Sequence, residues 1–482
     1  MDEGGTGRDI GVFVRSGVRY RGPRSGWWST LVVAVLLATT PARAQEPGKL
    51  HGLTLEQAVA KALKQNPAFA GSKDDADAAR ARLKQVQAAW YPRLDFEQNF
   101  TRGNNPVYVF GTKLTQRQFT VEDFALNNLN TPTPLDNFQT RFDAQWRVFD
   151  SGETLYHQRA ARKLVTTADF QTEQARQDLI YEVVQSYYGI RVAQENVMAA
   201  ENAVKTAGAS VQRLEAMRTA GTVVDSDYLS AKVFLAQMKD REIRAKNDLA
   251  MAEMQLARVM GTPVETQMEL AGALAEPKGE GKLVDEWLRE ALSTRPALRA
   301  AELQEYATDD ERKATKAEFG PKIALFGSTE RDAMTMAGPS GTNWTAGARL
   351  DINVFAGGAQ KARLAEATAN ASKAKHSVEW LRSGITMEVR SSYLQTQAAE
   401  QRAAAARGSA EQATESLRIV KNRYEAGLTT ITELLRTETS LLDAQTMYLS
   451  ALQDWQVSLA QLERAAGVLT PDSPLIANAG GR

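Results

Sequence analysis

One stretch of the chain indicates the fold, because its side chains alternate between two faces of different polarity. It reads Phe138-Gln-Thr-Arg-Phe-Asp-Ala-Gln-Trp-Arg-Val148. One face of the predicted strand carries Phe138, Thr140, Phe142, Ala144, Trp146 and Val148. The opposite face carries the predicted lumen residues Gln139, Arg141, Asp143, Gln145 and Arg147. An apolar face backed by a hydrophilic one, with aromatic residues at its margins, is typical of a transmembrane β-strand beside an aqueous lumen. A half-buried strand of a soluble sheet has a similar pattern and remains the alternative for any single strand.

The same alternation returns 206 residues later in the chain. Its apolar positions are Trp344, Ala346, Ala348, Leu350, Ile352 and Val354. Its polar positions include Arg349, Asp351 and Asn353, which we predict to line the same lumen. Weaker alternating segments precede both strands, so the predicted strands are about 93–101, 138–149, 322–330 and 344–355.

Four strands are too few to close a barrel, because the smallest transmembrane barrels contain roughly eight. An open sheet edge cannot lie in lipid, where its backbone groups would find no hydrogen-bond partner. We therefore expect several chains to share one barrel. The connections 102–137 and 331–343 are rich in Asn, Thr, Gly and Pro and are predicted to be exposed loops.

Outside the strands, the placement of proline indicates long helices. No proline occurs between Pro134 and Pro263 or between Pro339 and Pro471, and proline is nearly excluded from helix interiors. We predict long helices at 153–219 and 359–425, with return helices at 227–260 and 431–466. A helix of 67 residues, at about 1.5 Å per residue, is about 100 Å long. A soluble coiled-coil scaffold is the main alternative on helix content alone.

These elements form an internal tandem repeat. Val148-Phe149 matches Val354-Phe355, and Gly221 matches Gly427, all at the offset of 206. We predict a first repeat at 45–263, a linker or equatorial segment at 264–282, a second repeat at 283–470 and a C-terminal tail at 471–482. A short helix and a second helix precede the strands in each repeat.

The composition excludes several classes of function. Basic and acidic residues balance at 58 each, so no basic excess points to nucleic acid. Cysteine is absent and there are three histidines, which removes disulfide scaffolds, thiol nucleophiles and the usual zinc clusters. No nucleophile elbow, phosphate-binding loop or ligand-spaced histidine pair is present. We therefore expect no enzymatic activity, no cofactor and no metal site.

The N-terminal region carries the features of an export signal. Positive charges at Arg21 and Arg24 precede a short apolar core, and Ala42-Arg-Ala44 provides a small-residue cleavage site. We predict a signal peptide at 1–44. An N-terminal membrane anchor is the alternative, although the apolar run is short for a bilayer.

In its motifs the chain resembles the outer-membrane efflux protein family, the TolC-like channels of Gram-negative envelopes. The resemblance covers about residues 53–470. It is carried by Leu53-Thr-Leu-Glu-Gln-Ala-Val59, Asn66-Pro67, Tyr91-Pro92, Val148-Phe-Asp-Ser-Gly152 and Arg423-Tyr-Glu-Ala-Gly-Leu-Thr-Thr-Ile-Thr-Glu-Leu-Leu435. It implies a homotrimer whose long helical hairpins form an α-barrel across the periplasm, continued in the outer membrane by a 12-stranded β-barrel with four strands per chain. It also implies a passive exit duct, of efflux or type I secretion, that docks on a periplasmic adaptor and an inner-membrane pump of the RND or ABC type.

The resemblance also implies a gate at the periplasmic tips of the helical hairpins. Tyr424 matches the family's gating tyrosine and Asp227 its aspartate, whereas Thr429 stands where the family has an arginine. Glu433 occupies one acidic ring, and Arg436 stands where a second acidic ring would lie. The predicted tip and gate residues are Tyr424, Asp227, Ser226, Thr429, Glu433 and Arg436. The turns and adaptor contacts are predicted at Gly221, Gly427, Arg218 and Arg423.

A different class of function shares the same architecture. A periplasm-spanning structural or adhesive trimer, without transport, would contain the same helices and barrel, and only conduction through the lumen separates the two. The cargo is not encoded in an identifiable motif: drug, metal ion, small molecule and protein all stay open.

Overall fold

The computed structural model describes residues 50–271, 274, 276 and 282–477. The predicted signal peptide at 1–44 lies outside these residues, as do parts of the predicted linker and tail. The described chain is mainly α-helical, with one four-stranded sheet and one small two-stranded sheet. The predicted fold class is confirmed at this level.

The elements follow the same order in both halves of the chain. The first half contains β1 (Leu50–Leu53), α1 (Leu55–Gln65), α2 (Pro67–Gln87), β2 (Arg93–Gly103), α3 (Pro106–Thr115), α4 (Leu126–Asn130), β3 (Leu135–Phe149), α5 (Glu153–Thr219) and α6 (Asp225–Met260). The second half contains β4 (Met268–Leu270), α7 (Val284–Thr294), α8 (Pro296–Ala317), β5 (Lys322–Ala333), β6 (Ser340–Asp351), α9 (Ala359–Glu425) and α10 (Ile431–Ala466), before the short α11 (Pro474–Ala477). Helices α5 and α9 have 67 residues each, and α6 and α10 have 36 each.

The long helices are packed by small residues at coiled-coil spacing. In α5 the buried residues Ala193, Ala200, Ala207 and Leu214 recur every seventh position. In α9 the corresponding series is Val378, Ile385, Ser392, Ala399 and Ala406. A seven-residue repeat keeps one seam of a helix against its neighbour, and alanine lets the two helices approach closely. Each long helix therefore pairs with its return helix as an antiparallel hairpin.

The joint between sheet and helix is made by a short polar motif. After β3, the carboxylate of Asp150 accepts hydrogen bonds from the backbone N–H groups of Gly152 (3.1 Å) and Thr154 (3.0 Å). Ser151 and Gly152 both have positive φ, at 57° and 91°. The carboxylate thus satisfies N–H groups at the start of α5 that have no partner within the helix. At the matching position in the second half, Gly357 and Gly358 adopt the same backbone conformation.

The largest buried cluster lies around the middle of α5, beside the two-stranded sheet. Strands β1 and β4 pair in parallel, and the hydroxyl group of Tyr187 bonds to the carbonyl oxygens of Leu53 (3.0 Å) and Ala271 (2.8 Å). These bonds bring the start of the described chain to the segment between its two halves. The segment predicted as a linker therefore contains a strand, β4, that pairs within the fold.

The four-stranded sheet is antiparallel in the order β2-β3-β5-β6. Strand β3 pairs with β5, so the sheet joins the two halves of the chain, and β2 and β6 form its edges. Both strand connections, 104–134 and 334–339, leave from one end, which we call the hairpin end. The long helices leave from the other end, which we call the helix end.

The sheet differs from the sequence-based expectation in two places. The connection predicted as a loop contains α3, α4 and a turn of 3₁₀ helix at Val121–Phe124. Strand β6 ends at Asp351, because its partner β5 begins at Lys322, directly after Pro321. Proline has no N–H to donate, so the ladder stops there. Asn353, predicted to lie on the lumen face of the strand, lies beyond its end.

Among the described residues, every helix falls short of the length or the apolar character that a membrane crossing requires.

Candidate functional site

One face of the sheet is lined with polar and charged side chains. The predicted lumen residues of β3 share this face, and Glu330, Asp332, Arg349 and Asp351 lie opposite or beside them on β5 and β6. Arg141 forms an ion pair with Asp143 (2.8 Å), and Arg349 forms one with Asp351 (2.9 Å). Gln139 donates a hydrogen bond to Glu330 (3.3 Å). The charges are thus largely paired with one another, as on a surface in contact with water.

The polar face is interrupted near the helix end. There Gln145 is opposite Phe326, and Arg147 is opposite Ala324. The polar lining predicted from β3 and β6 alone is therefore incomplete, since β5 contributes two apolar residues to it.

The other face of the sheet is apolar and largely uncovered in the single chain. The rings of Phe96 and Phe142 lie 5.2 Å apart, and those of Phe100 and Phe138 lie 4.7 Å apart. Trp344 is 78% exposed and Leu94 is 76% exposed. A continuous aromatic and aliphatic surface of this kind is costly in water and marks a lipid or protein contact.

The hairpin tips hold the second group of predicted residues. At the α5–α6 tip Gly221 has a φ of 73°, and at the α9–α10 tip Gly427 has a φ of 70°. Thr430 caps α10 by accepting a hydrogen bond from the N–H of Glu433 (3.4 Å). Ser226, Arg218, Arg423 and both glycines are exposed, and Asp227 and Thr429 are half-buried. The tips therefore present the predicted contact residues to their surroundings.

Tyr424 packs between the two hairpins. It lies against the apolar cluster that contains Leu214, Tyr228 and Leu434. Burial raises the pKa of its hydroxyl group, and the negative charge of Asp227 raises it further. Tyr424 is therefore a protonated donor at neutral pH. Within the described part of the chain, its hydroxyl group makes no hydrogen bond to Asp227, Ser226 or Thr429.

Glu433 and Arg436 neutralise each other. Their side chains form an ion pair (2.8 Å), and the guanidinium of Arg436 lowers the pKa of the Glu433 carboxyl group. A carboxylate that is paired in this way adds little net charge to the tip.

Three tip contacts were not evident from the sequence. Arg213 approaches Glu425 across the two hairpins (3.7 Å). Arg218 lies over the ring of Tyr228 (4.5 Å) and near Asp225 (3.6 Å). No local motif marks such pairs, because the partners are brought together only by the packing of separate helices.

A cavity of about 250 Å³ lies between the two helical hairpins, on the sheet side of their tips. Phe234, Met238, Leu417 and Glu438 are among its lining residues. Burial raises the pKa of Glu438, and Lys421 opposes that shift. The hairpins are therefore less closely packed here than along their alanine seams.

No cluster of three or more histidine or carboxylate side chains suited to a metal ion occurs among the described residues.

A two-faced sheet that continues into long helical hairpins defines a class of envelope channel. The family model described as "Outer membrane efflux protein" matches residues 58–262 and 287–468, and the chain belongs to this family. Its location is accordingly the outer membrane, from which it extends into the periplasm.

Individual relatives and a solved structure match most of the chain. Protein CyaE of Bordetella pertussis is 26% identical over 428 residues, covering 87% of this chain and 85% of the relative. Alkaline protease secretion protein AprF of Pseudomonas aeruginosa is 24% identical, covering 85% and 83%. The crystal structure of the Campylobacter jejuni CmeC outer membrane channel superposes with a TM-score of 0.74 at 16% identity, covering 88% of each chain. The chain is thus similar to efflux and secretion channels over nearly its full length.

Proposed function

We propose that this protein is a passive exit duct through the outer membrane, serving an efflux or type I secretion system. The observation that carries the proposal is the two-faced sheet with free edges at β2 and β6. Its polar face would line an aqueous lumen, its apolar face would contact lipid, and its edges would pair with neighbouring copies. The long hairpins would continue the duct into the periplasm.

We infer that three copies assemble. Two copies would give an eight-stranded barrel, and the interior of a barrel of roughly eight strands is filled by its own side chains. Three copies give twelve strands and an interior wide enough for water. The family resemblance supports the same number.

The hairpin tips are the proposed contact with a periplasmic adaptor and, through it, an inner-membrane pump. Arg423 is exposed beside one tip turn, and Arg218 is exposed beside the other while it also contacts Tyr228 and Asp225. One relative is an alkaline protease secretion protein, which favours a secretion system as a second candidate beside efflux.

Ion conduction tests the proposal against a purely structural or adhesive trimer. The purified trimer is inserted into planar bilayers, and its single-channel conductance is measured. A duct conducts, and Arg141→Gln shifts its selectivity towards cations, because Asp143 loses its partner on the polar face.

The matched control is Thr140→Val on the apolar face, which should leave selectivity unchanged. A trimer that inserts but does not conduct would refute the duct. A selectivity shift with Thr140→Val instead of Arg141→Gln would reverse the assignment of the two faces.

A further inference from the structure

The connection between β2 and β3, residues 104–134, is a folded unit with its own small core. The ring of Phe119 lies 4.8 Å from that of Phe110 and 5.1 Å from that of Phe124. Lys113 of α3 forms an ion pair with Asp123 (2.5 Å), and the amine of Lys113 lowers the pKa of that carboxyl group. These contacts hold α3 and the following turns together.

One face of α3 is buried against the sheet. Val109, Thr112 and Gln116 are buried and lie three and four positions apart, which places them on one side of the helix. Gln116 is 1% exposed, and its amide nitrogen donates to the carbonyl oxygen of Asp136 and to the side-chain oxygen of Asn137, both at 2.9 Å. Asn137 in turn donates to Asp332 (2.7 Å). The helix is therefore anchored to β3 and, through Asn137, to β5.

The far end of α3 reaches the opposite edge strand. Asn343 of β6 donates to the carbonyl oxygen of Thr115 (3.2 Å), and Arg117 donates to the carbonyl oxygen of Thr342 (2.7 Å). At Gly341 a Cβ atom would overlap the carbonyl oxygen of Thr115. Glycine is required there for space, so that the connection can lie directly on the strand.

These anchoring residues all lie on the polar face of the sheet. Asp332 is opposite both Gln139 and Gly341, and Asn343 is opposite Glu330. Directly paired residues of an antiparallel sheet share one face. The connection from β2 to β3 thus crosses the polar face at the hairpin end, from β3 over β5 to β6.

We propose that this connection is an internal constriction at the outer mouth of the channel. The inference rests on the proposed duct, in which the polar face lines the lumen. Twelve tilted strands about 4.8 Å apart give a backbone diameter of about 24 Å. A helix with its side chains is about 10 Å thick, so three inward-lying copies narrow that bore to roughly 4 Å.

The free side of α3 fits contact with the other copies of the chain. Val107 and Leu114 lie on the helix face opposite the buried one and are 82% and 50% exposed. In a trimer these apolar side chains face the central axis, where they meet their symmetry mates. The mouth is then closed to anything larger than small ions until the connection moves, so cargo must displace it.

Single-channel conductance of the whole trimer tests the constriction. In one variant a short Gly-Ser turn replaces residues 104–134, and in a second variant Gly341→Ala pushes the connection off β6. Both should raise conductance several-fold. The matched control is Gly327→Ala, on the apolar face, where a Cβ atom makes only ordinary contact at 3.7 Å.

The outcomes separate this proposal from the duct itself. If the wild-type trimer conducts and both variants have the same conductance as the wild type, the constriction is refuted and the duct stands. If no form conducts, the duct fails as well.

Should the shortened variant not assemble, Gly341→Ala decides, and a thiol pair at Thr115→Cys with Asn343→Cys gives a second measurement. The chain has no other cysteine, so oxidation should hold conductance at or below the wild-type value. A rise on oxidation would contradict the constriction.

Discussion

At the scale of single residues, glycines in the same backbone conformation are required for different reasons. Gly221 and Gly427, at the tips, have positive φ with open space around them. Gly261 and Gly467 also have positive φ, at the far ends of the return helices, but each lies against another backbone. A Cβ atom on Gly467 would be 2.7 Å from the Cα atom of Arg295, and one on Gly261 would overlap the carbonyl oxygen of Gln65.

Alanine substitutions should separate the two requirements. Gly221→Ala pays only the left-handed backbone strain, about 1 kcal/mol in the free energy of unfolding. Gly261→Ala adds a backbone collision to this strain, so its free energy of unfolding should fall clearly further. Thermal unfolding of the two purified variants measures the difference, and equal losses would show that the contact at Gly261 relaxes freely.

At the scale of elements, α5 and α8 are joined by an ion pair that depends on pH. His157 lies 2.9 Å from Glu311. The hydrogen bond that the His157 ring donates to the carboxylate of Glu311 raises the pKa of His157, burial opposes this, and the charges of Glu311, Glu153 and Glu318 raise it further. Because the folded pKa is raised, the stabilisation is complete below the unfolded value of about 6.5 and is lost as pH rises through the folded value.

Glu311→Gln should therefore lower the melting temperature at about pH 5.5 and have little effect at about pH 9. The effect is modest, since both side chains are more than one third exposed. His376→Gln is the control, because His376 and Glu379 are 71% and 57% exposed and their pair contributes little. A constant difference across pH would exclude titration of His157 as its cause.

The sequence was informative about elements where local chemistry alone decides them. The proline-free stretches are where α5 and α9 lie, and Gly221 and Gly427 end them, since proline and glycine act through their own backbones. Helix α3 also had a local signal, because Asn105 caps it and Pro106 occupies its first turn. The abundance of loop-forming residues around it obscured that signal. The docking of α3 on Gly341 depends on a strand more than 200 residues away, which no local pattern encodes.

At the scale of the whole molecule, the tips of three chains would form a gate. Tyr424 is a protonated donor without a hydrogen bond to Asp227 in the described single chain, so its partner would come from a neighbouring copy. The buried cluster that contains Leu214, Tyr228 and Leu434 would hold the two hairpins of each chain together, and the exposed Arg213–Glu425 contact would add little. The paired Glu433 and Arg436 would leave the gate only weakly charged.

Tyr424→Phe combined with Asp227→Ala should loosen the closed tips and raise single-channel conductance. Arg423→Gln is the matched control: it lies next to Tyr424 but is exposed, so it should weaken adaptor binding and leave conductance unchanged. If the double variant conducts like the wild type, these two residues do not form the gate.

The pairing of β3 with β5 has a consequence for biogenesis. Asn137 and Asp332, which are bonded across these strands, are 195 residues apart in the chain. Contacts of such long range form slowly, because a large loop must close first. The edge of β3 that pairs with β5 therefore stays open until Lys322–Ala333 of β5 has followed it. An open strand edge can pair with another chain, so β3 is a site of aggregation during that interval.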